Sequence, residues 1–170
     1  MKLNNTIFSI ICLLAVLLSF NACTAIAVQT AFSKKKGAIP PDFGSDPEHI
    51  LVFLLSDESR YNRKVLRIGR EVYKGKLVFL SKRQLETEEY SDTNIYRYIF
   101  QHSGHSSFNT YSPNSSGSYD TNQGSYLKIG MYDRKEKQRY FNNAGSTQYG
   151  LLIRYMAKKL EKERKSMLDD

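Results

Sequence analysis

The 170-residue chain contains no tryptophan, two cysteines, four prolines and ten glycines. So little cysteine excludes a disulfide scaffold, and so little glycine and proline excludes a fibrous protein. The motifs G-x-S-x-G, a Gly-rich phosphate loop and H-E-x-x-H are also missing, so the commonest signatures of hydrolases, nucleotide-binding proteins and metalloproteases are absent. With 41% hydrophobic and 12% aromatic residues, the composition is that of one globular domain. The net charge of +8 favours anionic partners.

The N-terminus has the layout of an export signal. Lys2 precedes a continuous apolar run of 14 residues, Ile7 to Phe20, and small residues follow it. The run is too short to span a bilayer comfortably, because a spanning helix needs about 20 residues. We therefore predict that residues 1–22 are a secretory signal peptide and that the rest of the chain lies outside the cytoplasm.

Three fates of this signal remain open. The stretch Leu18-Ser19-Phe20-Asn21-Ala22-Cys23 resembles the lipobox of bacterial lipoproteins. That resemblance implies that Cys23 takes up diacylglycerol and becomes the mature N-terminus. Alternatively, Ala25-Ile26-Ala27 is a signal peptidase site that releases a soluble protein, or residues 7–28 remain as an uncleaved anchor. We favour the lipoprotein, because Cys12 leaves with the signal and Cys23 is then the only thiol of the exported chain.

Residues 23–48 are interpreted as a tether between the lipid and the domain. They show no sustained hydrophobic period, and they contain Lys34-Lys35-Lys36 and Pro40-Pro41. This composition is typical of a solvated linker whose lysines can rest on anionic headgroups. We therefore predict a single α/β domain over residues 49–170.

Hydrophobic periodicity predicts a mixed sheet of about five strands with two main helices. The unbroken apolar run Ile50–Leu55 indicates a buried strand, and apolar residues at 61, 65, 68 and 72 indicate a helix over Ser59–Tyr73. With a second strand at Lys76–Leu80 these elements form a right-handed βαβ unit. The later elements are an acidic connection at 85–92, a third strand at 95–101, a hairpin at 126–132 and 137–141, and a C-terminal helix that opens at Gly145-Ser146.

Residues 106–126 are predicted to form a long loop. The stretch is rich in Ser, Asn, Gly and Tyr and has no hydrophobic period. Loops of this length are usually functional or disordered. Its mixture of aromatic and small polar residues is similar to that of antibody paratopes. It is therefore either a disordered segment or a partner-binding or sugar-stacking loop that presents Phe108, Tyr111 and Tyr119.

The order βαβ, β, β-hairpin and helix resembles the thioredoxin-like fold over residues 50–160. Two stretches carry the resemblance, ILVFLLSDESRYNRKVLRIGREVYKGKLVFL and SYLKIGMYDRKEKQRYFNNAGSTQYGLLIRYMAKKLE. That family places a redox Cys-x-x-Cys where this chain has Ser56-Asp57-Glu58-Ser59, and a proline where it has Gly124-Ser125. The resemblance therefore implies a scaffold without thiol–disulfide chemistry, since hydroxyls cannot perform the exchange.

The first helix carries the densest run of charge in the sequence. Between Arg60 and Arg83 there are nine basic residues and one acid, Glu71. Such a line of cations can bind phosphates, anionic lipid or acidic glycans. The alternative is an ordinary solvated helix face, neutralised by Asp57, Glu58 and the acidic connection. The cations on one side of the helix are Arg60, Arg63, Lys64, Arg67, Arg70 and Lys74.

Two histidines, His102 and His105, lie three residues apart at the end of the third predicted strand. A metal site needs three or four ligands of defined geometry, so we expect no bound metal and no other cofactor. We predict a non-enzymatic envelope lipoprotein that binds an anionic envelope component or envelope protein, and not nucleic acid, through its basic helix or aromatic loop. A hydrolase or metal-dependent enzyme centred on these histidines is the alternative.

Overall fold

The fold is a five-stranded mixed sheet with its two long helices on one face. The computed structural model describes residues 32–113, 115–116, 119–146 and 148–167, and at 105–113, 119–125 and 142–145 it describes the backbone alone. The elements are β1 (Leu51–Leu55), α1 (Ser59–Val72), β2 (Leu77–Ser81), α2 (Lys82–Leu85), a 3₁₀ turn (Glu88–Tyr90), β3 (Tyr98–Pro113), β4 (Tyr119–Asp133), β5 (Gln138–Ser146) and α3 (Tyr149–Ser166).

The strand order is β2-β1-β3-β4-β5. Strand β1 pairs in parallel with both β2 and β3, whereas β4 is antiparallel to both β3 and β5. The α/β class and the element order predicted from hydrophobic periodicity are therefore confirmed. Helix α2, which leads into the acidic connection, and the 3₁₀ turn within that connection are short additions.

Helix α1 forms because its apolar positions share one face. Tyr61, Val65 and Ile68 are all buried, together with Gly69. A Cβ at Gly69 would lie 3.0 Å from the Phe79 ring, so this glycine allows the helix to approach the sheet closely. The turn before the helix is held by Asn62, whose side chain accepts from the Ser56 N–H at 2.9 Å and donates to the Ser56 carbonyl at 2.7 Å.

The two faces of the sheet bury different cores. Because side chains alternate along a strand, Leu51 and Phe53 of β1 join the larger core under α1 and α3. Val52, between them, belongs to a smaller cluster on the opposite face. Leu85 and Tyr90, from the acidic connection, pack against that second cluster. The acidic connection therefore covers the face of the sheet that the long helices leave open.

The linker prediction for residues 23–48 is wrong from Phe32 onward. Phe32, Ala38, Ile39 and Phe43 are at most 3% exposed and belong to the larger core. Hydrophobic periodicity does not reveal their burial, because they lie in successive turns rather than in a helix or strand. The folded domain therefore begins at or before Phe32, not at residue 49. The signal peptide, Cys23 and the rest of the linker lie outside the described residues.

The loop prediction for residues 106–126 is also wrong. Strand β3 runs to Pro113 and β4 starts at Tyr119, and their backbones pair continuously from Ser106↔Tyr126 to Pro113↔Tyr119. Backbone hydrogen bonds need no hydrophobic period, so a polar hairpin of this length is invisible to hydropathy. The structure describes only the backbone at the residues predicted to bind a partner, Phe108, Tyr111 and Tyr119.

A buried ion pair joins β4 to the start of β3. Arg97 Nε lies 3.1 and 3.0 Å from the two carboxylate oxygens of Asp133, and the Arg97 and Asp133 residues are 8% and 1% exposed. Asp42 and Glu136 lie 3.3 and 3.8 Å from the same guanidinium, but their side chains are mostly exposed. Asp133 also accepts from the backbone N–H groups of Lys135 and Glu136 and so shapes the β4–β5 turn.

Candidate anion-binding groove

Basic residues of α1 line an open groove against the start of α3. The groove has a volume of about 750 Å³, within the size range of ordinary ligand sites. We call it the basic groove. Its lining residues are Arg60, Arg63, Lys64, Arg67 and Tyr149.

Lys64 lines both the basic groove and an adjoining depression. Its Nζ lies 4.3 Å from the centre of the Tyr149 ring, which is a cation–π distance. A Cβ on Gly150 would lie 3.2 Å from Lys64 Cδ, so the lysine side chain packs closely over the start of α3. Lys64 thus packs over the start of α3 while it lines the basic groove.

The start of α3 adds positive potential to the groove. Its N-cap residue, Gln148, makes no side-chain cap hydrogen bond, and its first turn contains no acidic residue. The free N–H groups of a helix start carry partial positive charge. Gln148, with Leu151 and Arg154, lines an adjoining depression of about 400 Å³ that shares Lys64 and Arg67 with the basic groove.

A bidentate ion pair closes one end of this surface. Arg154 donates to the two carboxylate oxygens of Glu71 at 2.6 and 2.8 Å and so ties α3 to α1. The hydrogen bonds from Arg154, aided by the charges of Arg67 and Lys74, hold the pKa of the Glu71 carboxyl below its usual range. Glu71 is therefore ionised at neutral pH, and its carboxylate is paired with Arg154.

The four cations of the basic groove lack ion-pair partners, although the charge of Arg67 acts on the Glu71 carboxyl that Arg154 holds. Among the residues that the structure describes, no acid forms an ion pair with Arg60, Arg63, Lys64 or Arg67. The acidic connection packs on the opposite face of the sheet. The interpretation of a solvated, neutralised helix face is therefore wrong for residues 86–92, whereas Asp57 and Glu58 do stand at the start of α1.

Arg70 and Lys74, predicted with the other cations, take different positions. The Arg70 guanidinium lies over the Phe79 ring at 5.3 Å, and Lys74 Nζ donates to the Arg70 carbonyl at 3.2 Å. Neither residue lines the basic groove. The structure thus brings together four of the six predicted basic residues.

The two histidines lie inside β3 and not at its end. The register between His102 and His105 shifts at a bulge, where Gly104 has a φ of +89° and its N–H donates to His102 Nδ1 at 3.0 Å. The His102 ring packs against Tyr61, with 4.5 Å between ring centres. No group of three or more potential metal ligands occurs among the described residues.

The sequence analysis did not identify Tyr149, which lines the basic groove, or Gln148, which lines the adjoining depression. Both residues stand at the start of α3. The position of that helix against α1 depends on packing of the whole core, so no local signal identifies these residues as neighbours of Lys64.

The comparisons with known proteins assign the chain to no family. No protein-family model, curated protein or solved structure matches it. The thioredoxin-like and lipoprotein resemblances therefore stay predictions. In the part of the chain that the structure describes, no helix is long and apolar enough to cross a membrane.

Proposed function

We propose that this chain is an exported, lipid-anchored envelope protein whose α/β domain binds an anionic envelope component in the basic groove. The observation that carries the proposal is the clustering of four cations that form no ion pair with the described acids. Like charges held close together repel one another, so an anionic ligand that neutralises them gains affinity. A wide, open groove suits a polymer or headgroup rather than an enclosed metabolite.

The spacing of the cations favours an extended anion. Arg60 and Arg67 are seven residues apart, which is about 10 Å along a helix. A chain of phosphate or carboxylate groups that lies along α1 can contact several cations at once. The contribution of each contact is small at an exposed site, so affinity rests on their number and falls as salt screens them.

Reversing two charges in the groove should abolish most of this binding. We expect the Arg63→Glu/Arg67→Glu double variant to bind polyphosphate, used as a simple anionic polymer, at least tenfold more weakly than the wild type at 0.15 M salt. Both side chains are exposed, so the fold should be unaffected. The measurement is a titration of labelled polyphosphate by fluorescence anisotropy, repeated at higher salt.

A matched control separates the groove from net charge. Lys158→Glu/Lys162→Glu changes the net charge equally, at two exposed positions of α3 that do not line the groove. We expect less than a twofold effect from this variant. Equal losses in the two double variants would show that only overall charge matters and would contradict the proposal.

The lipid anchor has its own test. Cells grown with a fatty-acid probe should label the wild-type chain, and Cys23→Ala should abolish both the label and membrane association. Cys12→Ala is the control, because Cys12 belongs to the predicted signal peptide and its loss should leave the label in place. A wild-type chain without label would instead favour soluble secretion or an uncleaved anchor.

A further inference from the structure

The exposed sides of the two long helices form one strongly basic face. Helices α1 and α3 run side by side on the sheet, since Lys64 packs over the first turn of α3 and Glu71 pairs with Arg154 further along. We call the exposed residues of these two helices the helix face. Those of α1 include four cations, Arg60, Arg63, Arg67 and Arg70. Those of α3 include three more, Lys158, Lys162 and Lys165.

The helix face has no free acid to balance these cations. Glu71 is its one exposed acid, and both its carboxylate oxygens accept from Arg154. Lys165 lies 3.7 Å from the Glu161 carboxylate. The other six cations form no ion pair with any acid that the structure describes. A layer with unpaired cations on both helices complements a negatively charged surface that is larger than the basic groove.

Leu151 is the one apolar residue of the helix face. It is 49% exposed, and it lines the depression that adjoins the basic groove, where Lys64 and Arg67 stand beside it. A soluble polyanion cannot shelter a leucine side chain, whereas the acyl chains of a bilayer remove it from water. Surfaces that rest on membranes combine these features, with cations at the level of the headgroups and an apolar side chain below them.

We propose that the helix face docks on an anionic lipid bilayer, with Leu151 inserted among the headgroups. The inference deepens the proposed function and rests on it, since the bilayer is then the anionic envelope component that reaches the basic groove. Arg63 and Arg67 contact lipid phosphates from α1, and Lys158 and Lys162 contact them from α3. Docking therefore needs cations that a polymer confined to the groove does not need.

The start of the described chain is compatible with this orientation. Lys34 Nζ lies 3.5 Å from a Glu163 carboxylate oxygen near the C-terminal end of α3. Phe32 belongs to the larger core, which lies under the two long helices. The chain therefore enters the fold on the helix side of the sheet. A lipid at Cys23 and docking of the helix face are thus compatible with one membrane.

A fluorescent label at position 151 tests the docking on the full chain. Cys12 and Cys23 are replaced by serine, Leu151→Cys carries the polarity-sensitive dye NBD, and the chain is reconstituted into vesicles that are isolated by flotation. We expect emission at least twofold brighter, and blue-shifted, in vesicles with about 30% phosphatidylglycerol than in pure phosphatidylcholine, because the label enters the bilayer only on docking. Equal emission in the two kinds of vesicle would overturn the proposal.

Ile95→Cys provides the matched label control. Ile95 is 41% exposed and lies before β3, outside both helices. Its label should emit equally in the two kinds of vesicle. A response at position 95 as large as that at position 151 would mean that the helix face is not what meets the membrane, and would contradict the proposal.

Two charge variants of the labelled chain locate the docking on the helix face. Lys158→Glu/Lys162→Glu should at least halve the difference in emission at position 151, although neither lysine lines the basic groove. Lys82→Glu/Arg83→Glu changes the net charge equally at exposed positions of α2, whose Leu85 packs on the opposite face of the sheet, and should leave the difference unchanged. Equal losses in the two variants would show that only overall charge matters.

The same variants separate this inference from the proposed function. Polyphosphate binding in the basic groove should be insensitive to Lys158→Glu/Lys162→Glu, whereas docking should not be. A chain that binds polyphosphate through Arg63 and Arg67 but shows no response at position 151 keeps the proposed function and loses this inference. A response that survives Arg63→Glu/Arg67→Glu unchanged would also overturn the docking, since these arginines belong to the helix face.

Discussion

Replacing Asp133 with asparagine should lower the free energy of unfolding by about 3 kcal/mol. The substitution keeps the side-chain shape and the oxygen that accepts from the turn, but it leaves the buried Arg97 guanidinium without its closest counter-charge. Breaking a buried ion pair costs about 3 to 5 kcal/mol. We expect the lower end, because Asp42 and Glu136 still lie near the guanidinium. Urea denaturation measures the change.

Asp42→Asn provides the matched control for this ion pair. It removes one carboxylate from the same guanidinium, but the Asp42 side chain is 61% exposed, whereas that of Asp133 is 1% exposed. Exposed ion pairs contribute about 0 to 1 kcal/mol, so this variant should lose less than 1 kcal/mol. Similar losses in the two variants would mean that burial does not set the strength of this cluster.

Truncating Phe43 to alanine should destabilise the domain by about 3 to 5 kcal/mol. Phe43 is 3% exposed, and its ring packs edge-on against Tyr98 with 5.2 Å between centres. Removing a buried phenylalanine side chain loses its transfer free energy and leaves a cavity. The same urea denaturation measures the loss.

The exposed Lys35 is the control within the same segment. Lys35→Ala should change the stability by less than about 0.5 kcal/mol, since surface substitutions rarely do more.

A chain that starts at Ser45 should not fold, because it lacks Phe32, Ile39 and Phe43 together. A cooperatively folded chain from Ser45 would show that residues 32–44 are dispensable, as the linker prediction assumed.

The βαβ unit could be predicted because each of its elements carries its own local signal. The run at Ile50–Leu55 is uniformly apolar because β1 is buried on both faces, and α1 has a complete apolar stripe. These patterns depend on the period of the element alone. The later strands of the mixed sheet and the C-terminal helix could be predicted for the same reason.

The two misassigned segments lack that kind of signal. Residues 32–43 bury their apolar side chains from turns, where no period exists, and the polar arms of β3 and β4 are held by backbone pairing over residues 106–126. The buried side chains of residues 32–43 contact distant parts of the chain, whereas the two arms of the hairpin pair with each other through backbone groups. Hydropathy along the sequence does not contain that information.

The basic groove was partly predictable for a related reason. Helical spacing places Arg60, Arg63 and Arg67 on one side of α1, and this holds whatever the helix packs against. The Arg70 side chain lies elsewhere because it packs over Phe79 of β2. The place of Tyr149 in the groove depends on where α3 docks. The positive charge of the basic groove could therefore be predicted from the sequence, but the residues of α3 that complete it could not.

The burial of Phe32 also limits how far the domain can stand from a membrane. If Cys23 carries lipid, nine residue steps connect it to Phe32, and an extended chain covers at most about 3.5 Å per residue. The folded domain then begins within about 30 Å of the bilayer surface, compared with about 85 Å for the predicted tether that ended at residue 48. A linker this short confines the protein to partners that are embedded in that membrane or lie close beside it.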